Sequence, residues 1–120
     1  MNDAVICLGG NAACSSSLIE AAETFLSAVG TVVAKSGVYS SAAEFVASES
    51  NYLNEVLVLR TALDYSGLHK STKAFETDLR AVHAHAPLVS IDIDIVLWNG
   101  EIMRPRDAAS AYFLAGLKKL

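Results

Sequence analysis

The run Ser90–Trp98, SIDIDIVLW, alternates polar and apolar residues, a pattern that suits an extended strand and no amphipathic helix. On a two-residue period, Ile91, Ile93, Ile95 and Leu97 share one face, and Asp92, Asp94, Val96 and Trp98 share the other. A strand so divided belongs to a sheet with one face under an apolar layer and the other open to polar chemistry. The two aspartates stand ~6–7 Å apart along the strand. Like charges at that range raise each other's pKa or require a counterion. Mg²⁺ suits them, because it takes oxygen ligands, keeps several waters and is commonly held by one or two carboxylates together with substrate phosphates.

The rest of the chain supplies the partners such a strand needs. Ala4–Leu8 is a short apolar run that stops at Gly9-Gly10-Asn11, a strand followed by a turn. Ser15, Ser16 or Ser17 can cap a helix in which Leu18, Ala21, Ala22, Phe25, Leu26 and Val29 recur at three-and-four spacing, with Gly30 placed to end it. Thr31–Ser40 reads as a second strand, Ser41–Asn51 as a surface loop and Tyr52–Thr61 as a third strand. From Gly67 to about Val82, Leu68, Thr72, Phe75, Leu79 and Val82 give a second amphipathic helix. Ala84–Leu88 is a loop, since Pro87 disfavours helix before it. Val89–Trp98 is the fourth strand, and Asn99-Gly100 after it is the strongest turn signal in the chain. A last helix follows Arg104-Pro105-Arg106, with Ala108, Ala109, Tyr112, Phe113 and Leu117 available to pack inward. The expected fold is a single α+β domain over 1–120: a split βαβ arrangement with a four-stranded antiparallel sheet, two helices on one face, and an additional C-terminal helix.

Composition narrows the function. The 120 residues are 52% hydrophobic and 18% charged, enough for a core without disulfide staples. A net charge of -4 argues against nucleic acid or an anionic membrane as the partner. Cys7 and Cys14 form no C-x-x-C pair and read as reduced thiols of a cytoplasmic protein. No apolar run reaches membrane-spanning length, and MNDAVICLGG lacks the form of a signal peptide. There is no G-x-G-x-x-G, no P-loop, no H-E-x-x-H and no G-x-S-x-G. On the third strand, Tyr52 and Asn54 share a face, one able to stack on a flat ring and the other to hydrogen-bond its edge. Glu76, late in the second helix, is a further candidate carboxylate.

VICLGGN, NYLNEVLVL and SIDIDIVLWNGEIM, in that order, resemble the bacterial 6-hydroxymethyl-7,8-dihydropterin pyrophosphokinases of folate biosynthesis. The resemblance runs from about Ala4 to Trp98, more loosely to the end. It implies a ferredoxin-like core and transfer of pyrophosphate from ATP, as co-substrate, to the hydroxymethyl group of a reduced pterin. It also implies two Mg²⁺ ions held by Asp92 and Asp94. Asn54 would hydrogen-bond the pterin, Tyr52 and Phe113 would sandwich it, and Gly9, Gly10 and Asn11 would form the turn beside it. Glu76 matches a glutamate near the nucleotide. Family members carry an arginine- and tryptophan-containing loop before the aspartate strand. Here that region is RAVHAHAPLVSIDID, with no Lys or Arg from Ala81 through Met103. Arg80 would then replace one phosphate-facing cation and His83 or His85 another, none of them matching a motif, with Arg104 and Arg106 the basic residues left beyond the last strand to face ATP. The competing reading is a pterin- or metal-binding regulatory module on the same fold.

Overall fold

A computed structural model describes residues 1–10, 15–41, 52–82 and 91–120, without the side chains of residues 15, 41, 52 and 82. The chain runs β1 (Asn2–Gly10), α1 (Ser15–Val29), β2 (Thr31–Lys35), β3 (Tyr39–Ser41), β4 (Tyr52–Thr61), α2 (Tyr65–Val82), β5 (Asp92–Trp98), β6 (Glu101–Ile102), α3 (Pro105–Ala108) and α4 (Ala111–Leu117). The sheet order is β2-β4-β1-β5-β6, with β3 also on β4, and every pairing is antiparallel. The α+β class therefore holds, but the sheet has six strands where four were expected. Two local causes account for the difference.

The expected second strand is divided, because Gly37 takes a positive φ of 79° and turns the chain between β2 and β3. The Ser36 hydroxyl bridges the break, accepting from Val56 N–H (2.9 Å). At the other edge, Asn99 (φ 49°) and Gly100 (φ 83°) form the tight turn expected of them, which folds β6 back on β5. The terminal helix is likewise two pieces, with the Ser110 hydroxyl capping α4 through Phe113 N–H. The second helix begins before Gly67, because the Asp64 carboxylate accepts from Gly67 N–H (2.7 Å) and caps it at Tyr65. The Ser41–Asn51 loop beyond Ser41, and the Ala84–Leu88 loop, lie outside the described residues. Among the described residues no helix is long and apolar enough to cross a membrane.

One face of the sheet presents Ala4, Ile6, Leu8, Leu57, Leu59, Ile93 and Ile95 to Leu18, Ile19, Ala22 and Leu26 of α1 and Leu68 of α2. Phe25 and Phe75 stack at 4.6 Å to join the two helices. The other face carries a smaller cluster of Cys7, Val56, Val96 and Phe113, over which α4 lies. Phe113 is sealed there, whereas Ala109 and Leu117, expected inward, are exposed.

The end of β5 corrects the simple alternation. The pairing with β1 shifts by one residue between Val5 and Ile6, so Val96 is an extra residue in β5. Beyond it the faces exchange. Leu97 joins the α4 side, and Trp98 turns to the helix layer, where its ring meets Tyr65 edge-on at 5.7 Å.

Glu55 is an exception in the helix-facing layer: it is 1% exposed, and its Oε1 has no hydrogen-bond partner. Burial raises its carboxyl from 4.5 to about 8, so it stays protonated and hydrogen-bonds Glu23 of α1. That bond holds Glu23 below its ordinary value, and Lys35 of β2 pairs with the same carboxylate at 3.1 Å. A folded-state pKa above the unfolded one adds stability that is complete below about 4.5 and is lost as the pH rises through about 8. Glu55→Gln should therefore flatten the fall in urea midpoint across that interval. Equal slopes in variant and unsubstituted chain would contradict a shared proton at this corner.

Candidate functional site: an aspartate pair on the open sheet face

The strand register builds the site directly. Tyr39 of β3 lies opposite Asn54 of β4, Asn54 opposite Gly9 of β1, and Gly9 opposite Asp92 of β5. These four positions form one row on the face away from α1 and α2. Adjacent strands are about 4.8 Å apart, so Asn54 and Asp92 lie roughly two strand spacings apart across Gly9; Gly9 and Asn54 are buried there, while Asp92 is exposed. The next row is Val56, Cys7 and Asp94. Its floor is apolar on one side and carboxylate on the other.

Asp92 is exposed, and Asp94 keeps 23% of its side-chain surface. Loss of solvent beside the sheet raises both carboxyls. Glu76 adds to the effect at Asp92, against the pull of Lys73, Arg80 and Arg104. At Asp94, Arg104 opposes it, while Asp107 and Asp92 add to it. Arg104 Nη2 stands 3.7 Å from Asp94 Oδ1, and Arg104 Nε donates to Asp107 Oδ2. Tyr112 O–H donates to the other oxygen of Asp107 at 2.7 Å. Cys7, cross-strand from Asp94, is buried, and its thiol is pushed up to about 12 by desolvation and then by Asp94 and Asp107. It is an inert core thiol here.

Glu76 is 4% exposed and accepts Ile93 N–H at 2.7 Å, so it completes the outer edge of β5 between the two aspartates. Lys73 (3.2 Å) and Arg80 (4.0 Å) neutralise its Oε2 from the same helix. Gly9, Asn54, Asp92, Asp94 and Arg104 thus share one face, with Glu76, Lys73 and Arg80 at its β5 margin. Arg106 is exposed on α3 and acts on Asp107. Phe113 is 1% exposed, on the sheet-facing side of α4. Gly10 ends β1 opposite Leu53, one residue out of the Gly9 row. Tyr52 opens β4 opposite Ser41. The Tyr52 side chain, Asn11, His83 and His85 lie outside the described residues.

Lys73, Asp107, Tyr112 and Tyr39 were missed in the sequence. Lys73-Glu76-Arg80 and Arg104-Asp107 have helical three-and-four spacing, which was a readable signal. Nothing local announced that Asp107 would meet the partner of Asp94.

Among the described residues no group of three or more His, Cys, Asp or Glu could enclose a metal ion. Two carboxylates raised by desolvation, with a single guanidinium beside one of them, instead fit a hydrated divalent cation that takes its other ligands from a substrate. The described residues build no closed four-ligand site.

An antiparallel α+β sheet thus carries a carboxylate pair, with a guanidinium beside one of them, on the face away from α1 and α2. The sequence matches the model of the 7,8-dihydro-6-hydroxymethylpterin-pyrophosphokinase (HPPK) family over residues 5–120, and the chain belongs to that family. A search of curated proteins finds no match.

Proposed function

We propose that the chain transfers the β,γ-pyrophosphoryl group of ATP to the hydroxymethyl oxygen of a reduced 6-hydroxymethylpterin, releasing AMP. The observation that carries this reading is the Asn54–Gly9–Asp92 row, with Asp94 behind it, in a member of this family. The pterin edge is assigned to the Gly9–Asn54 end of this row, where the amide can both donate and accept in exchange for its present contacts. Tyr52 is assigned the flat face of the ring. With Phe113 sealed between α4 and the sheet, that stacking falls mainly to Tyr52.

Asp92 and Asp94 would hold Mg²⁺, which when bound neutralises the triphosphate and its leaving group. Arg104 faces the phosphates from the residue before α3, with Arg106 on that short helix. Arg80 and Lys73 face them from α2, where Glu76 fixes the edge of β5. The pterin oxygen forms a bond to the β-phosphorus while the bond from that phosphorus to the α,β-bridging oxygen breaks. The hydroxyl proton leaves to solvent, and AMP carries the departing electron pair. Alignment of the two substrates and fixed positive charge supply the acceleration.

The test is AMP release in the presence of Mg²⁺, ATP and reduced 6-hydroxymethylpterin, with AMP and pterin diphosphate expected in equal amounts. No AMP above the pterin-free control would sink the proposal. Pterin uptake without uptake of a non-hydrolysable ATP analogue would favour the binding module instead.

A further inference from the structure

Among the described residues Arg104 is the basic side chain that pairs with Asp94, and it is not positioned by Asp94 alone. Its Nε donates to Asp107 Oδ2, and the second oxygen of that carboxylate accepts from Tyr112 O–H at 2.7 Å. Tyr112 is itself anchored, because its backbone carbonyl accepts from Tyr39 O–H at 2.5 Å. The chain of contacts therefore runs from β3 through α4 and α3 to a guanidinium 3.7 Å from Asp94. Asp107 is only 15% exposed, while Arg104 keeps 46% of its side-chain surface. Burial alone would raise the Asp107 carboxyl, but the hydrogen bonds from Tyr112 and Arg104 together hold it below its ordinary range.

A guanidinium has five donors in a rigid fork, and fixing Nε fixes the plane of the other two nitrogens. We infer that Asp107, braced by Tyr112, is a positioning residue. It holds Arg104 with its remaining N–H groups over the aspartate pair, as the anchored cation for a phosphate chain. This inference rests on the phosphate-binding reading above and names a residue through which that binding is set.

The sign of the effect separates this from general electrostatics. Asp107 is negative and close to a site for a polyanion, so simple charge removal should tighten anion binding. A positioning role predicts the reverse. The probe is tripolyphosphate with Mg²⁺, titrated calorimetrically into the full chain.

Arg104→Gln should weaken uptake on the order of 10-fold, the loss of one charge-assisted contact. Asp107→Asn should weaken it several-fold, and Asp107→Glu should recover part of that loss. The double variant Arg104→Gln/Asp107→Asn should be no weaker than Arg104→Gln alone, because Asp107 acts through Arg104. Tyr112→Phe, which keeps the ring and loses only the hydroxyl, should shift affinity in the same direction as Asp107→Asn. It carries the sign test if Asp107→Asn does not fold. Unchanged or tighter binding, or losses that add to that of Arg104→Gln, overturn the inference and leave the proposed reaction standing. If the unsubstituted chain takes up no tripolyphosphate with Mg²⁺, the phosphate-site reading falls, and the inference with it.

Discussion

Asp94→Asn and Asp92→Asn should each remove nearly all AMP release, a fall of at least about 10²-fold in kcat, without lowering the melting temperature. Both parts come from the same geometry. The amide keeps the size of the carboxylate but loses the charge and one acceptor oxygen, so the hard-cation site is broken while the packing is not. The core of β5 lies on its reverse side, in Ile93 and Ile95, which are 1% and 3% exposed. Desolvation raises both aspartate carboxyls, so their ionised forms at neutral pH oppose folding slightly. Neutralising either one should leave stability unchanged or a little higher. Loss of activity with equal or higher melting temperature separates a site residue from a structural one. A wild-type-like rate of AMP release from the double variant would defeat the metal-site assignment.

The second large effect is on stability. Phe113→Ala should cost about 3–5 kcal/mol, most of a typical small-domain margin. Phe113 is the largest side chain of the α4-side cluster and packs with Cys7, Val56 and Val96. Gly116, three residues on, brings α4 so close to the sheet that a β-carbon there would overlap the Tyr39 hydroxyl and the Val56 side chain. Gly116→Ala should cost about 1–3 kcal/mol by displacing the helix. Both variants should also speed alkylation of Cys7, which is 5% exposed with α4 in place. Urea midpoints and thiol labelling check this together. An unchanged midpoint for Phe113→Ala would show that α4 is not part of the cooperative fold.

Much of this architecture was legible because period-two and period-3.6 patterns are local properties. Ile91, Ile93 and Ile95 of the β5 strand pattern and most of the core stripes of α1 and α2 follow from spacing alone, although Ile19, fully buried in α1, falls outside the expected stripe. The register that sets Gly9 between Asn54 and Asp92 is a relation between three strands, and no single segment encodes it. The same holds for Val96, which looks like any other β-branched strand residue until pairing with β1 leaves it unmatched. Asp107 reads as an ordinary acidic residue in a helix first turn. Its meeting with Tyr112 and Arg104 depends on how α3 and α4 fold over the sheet. Glu55 shares the period-two face of Leu57 and Leu59, yet alternation alone gives no hint that it is buried as a proton-sharing acid.

The extra residue at Val96 bears on how freely such a domain can change. Before it, β5 turns its carboxylates to one side and its isoleucines to the other; after it, Trp98 crosses to the isoleucine side and strengthens that layer. The aspartates keep the front of the strand's first half, its isoleucines and Trp98 anchor the back, and Val96 and Leu97 pack against α4. Substitutions at 92 and 94 can retune or erase chemistry at little expense to folding, whereas an insertion or deletion between 92 and 98 would reverse the two sides. A lineage built on this strand can explore new ligands by exchanging residues, but scarcely by changing its length.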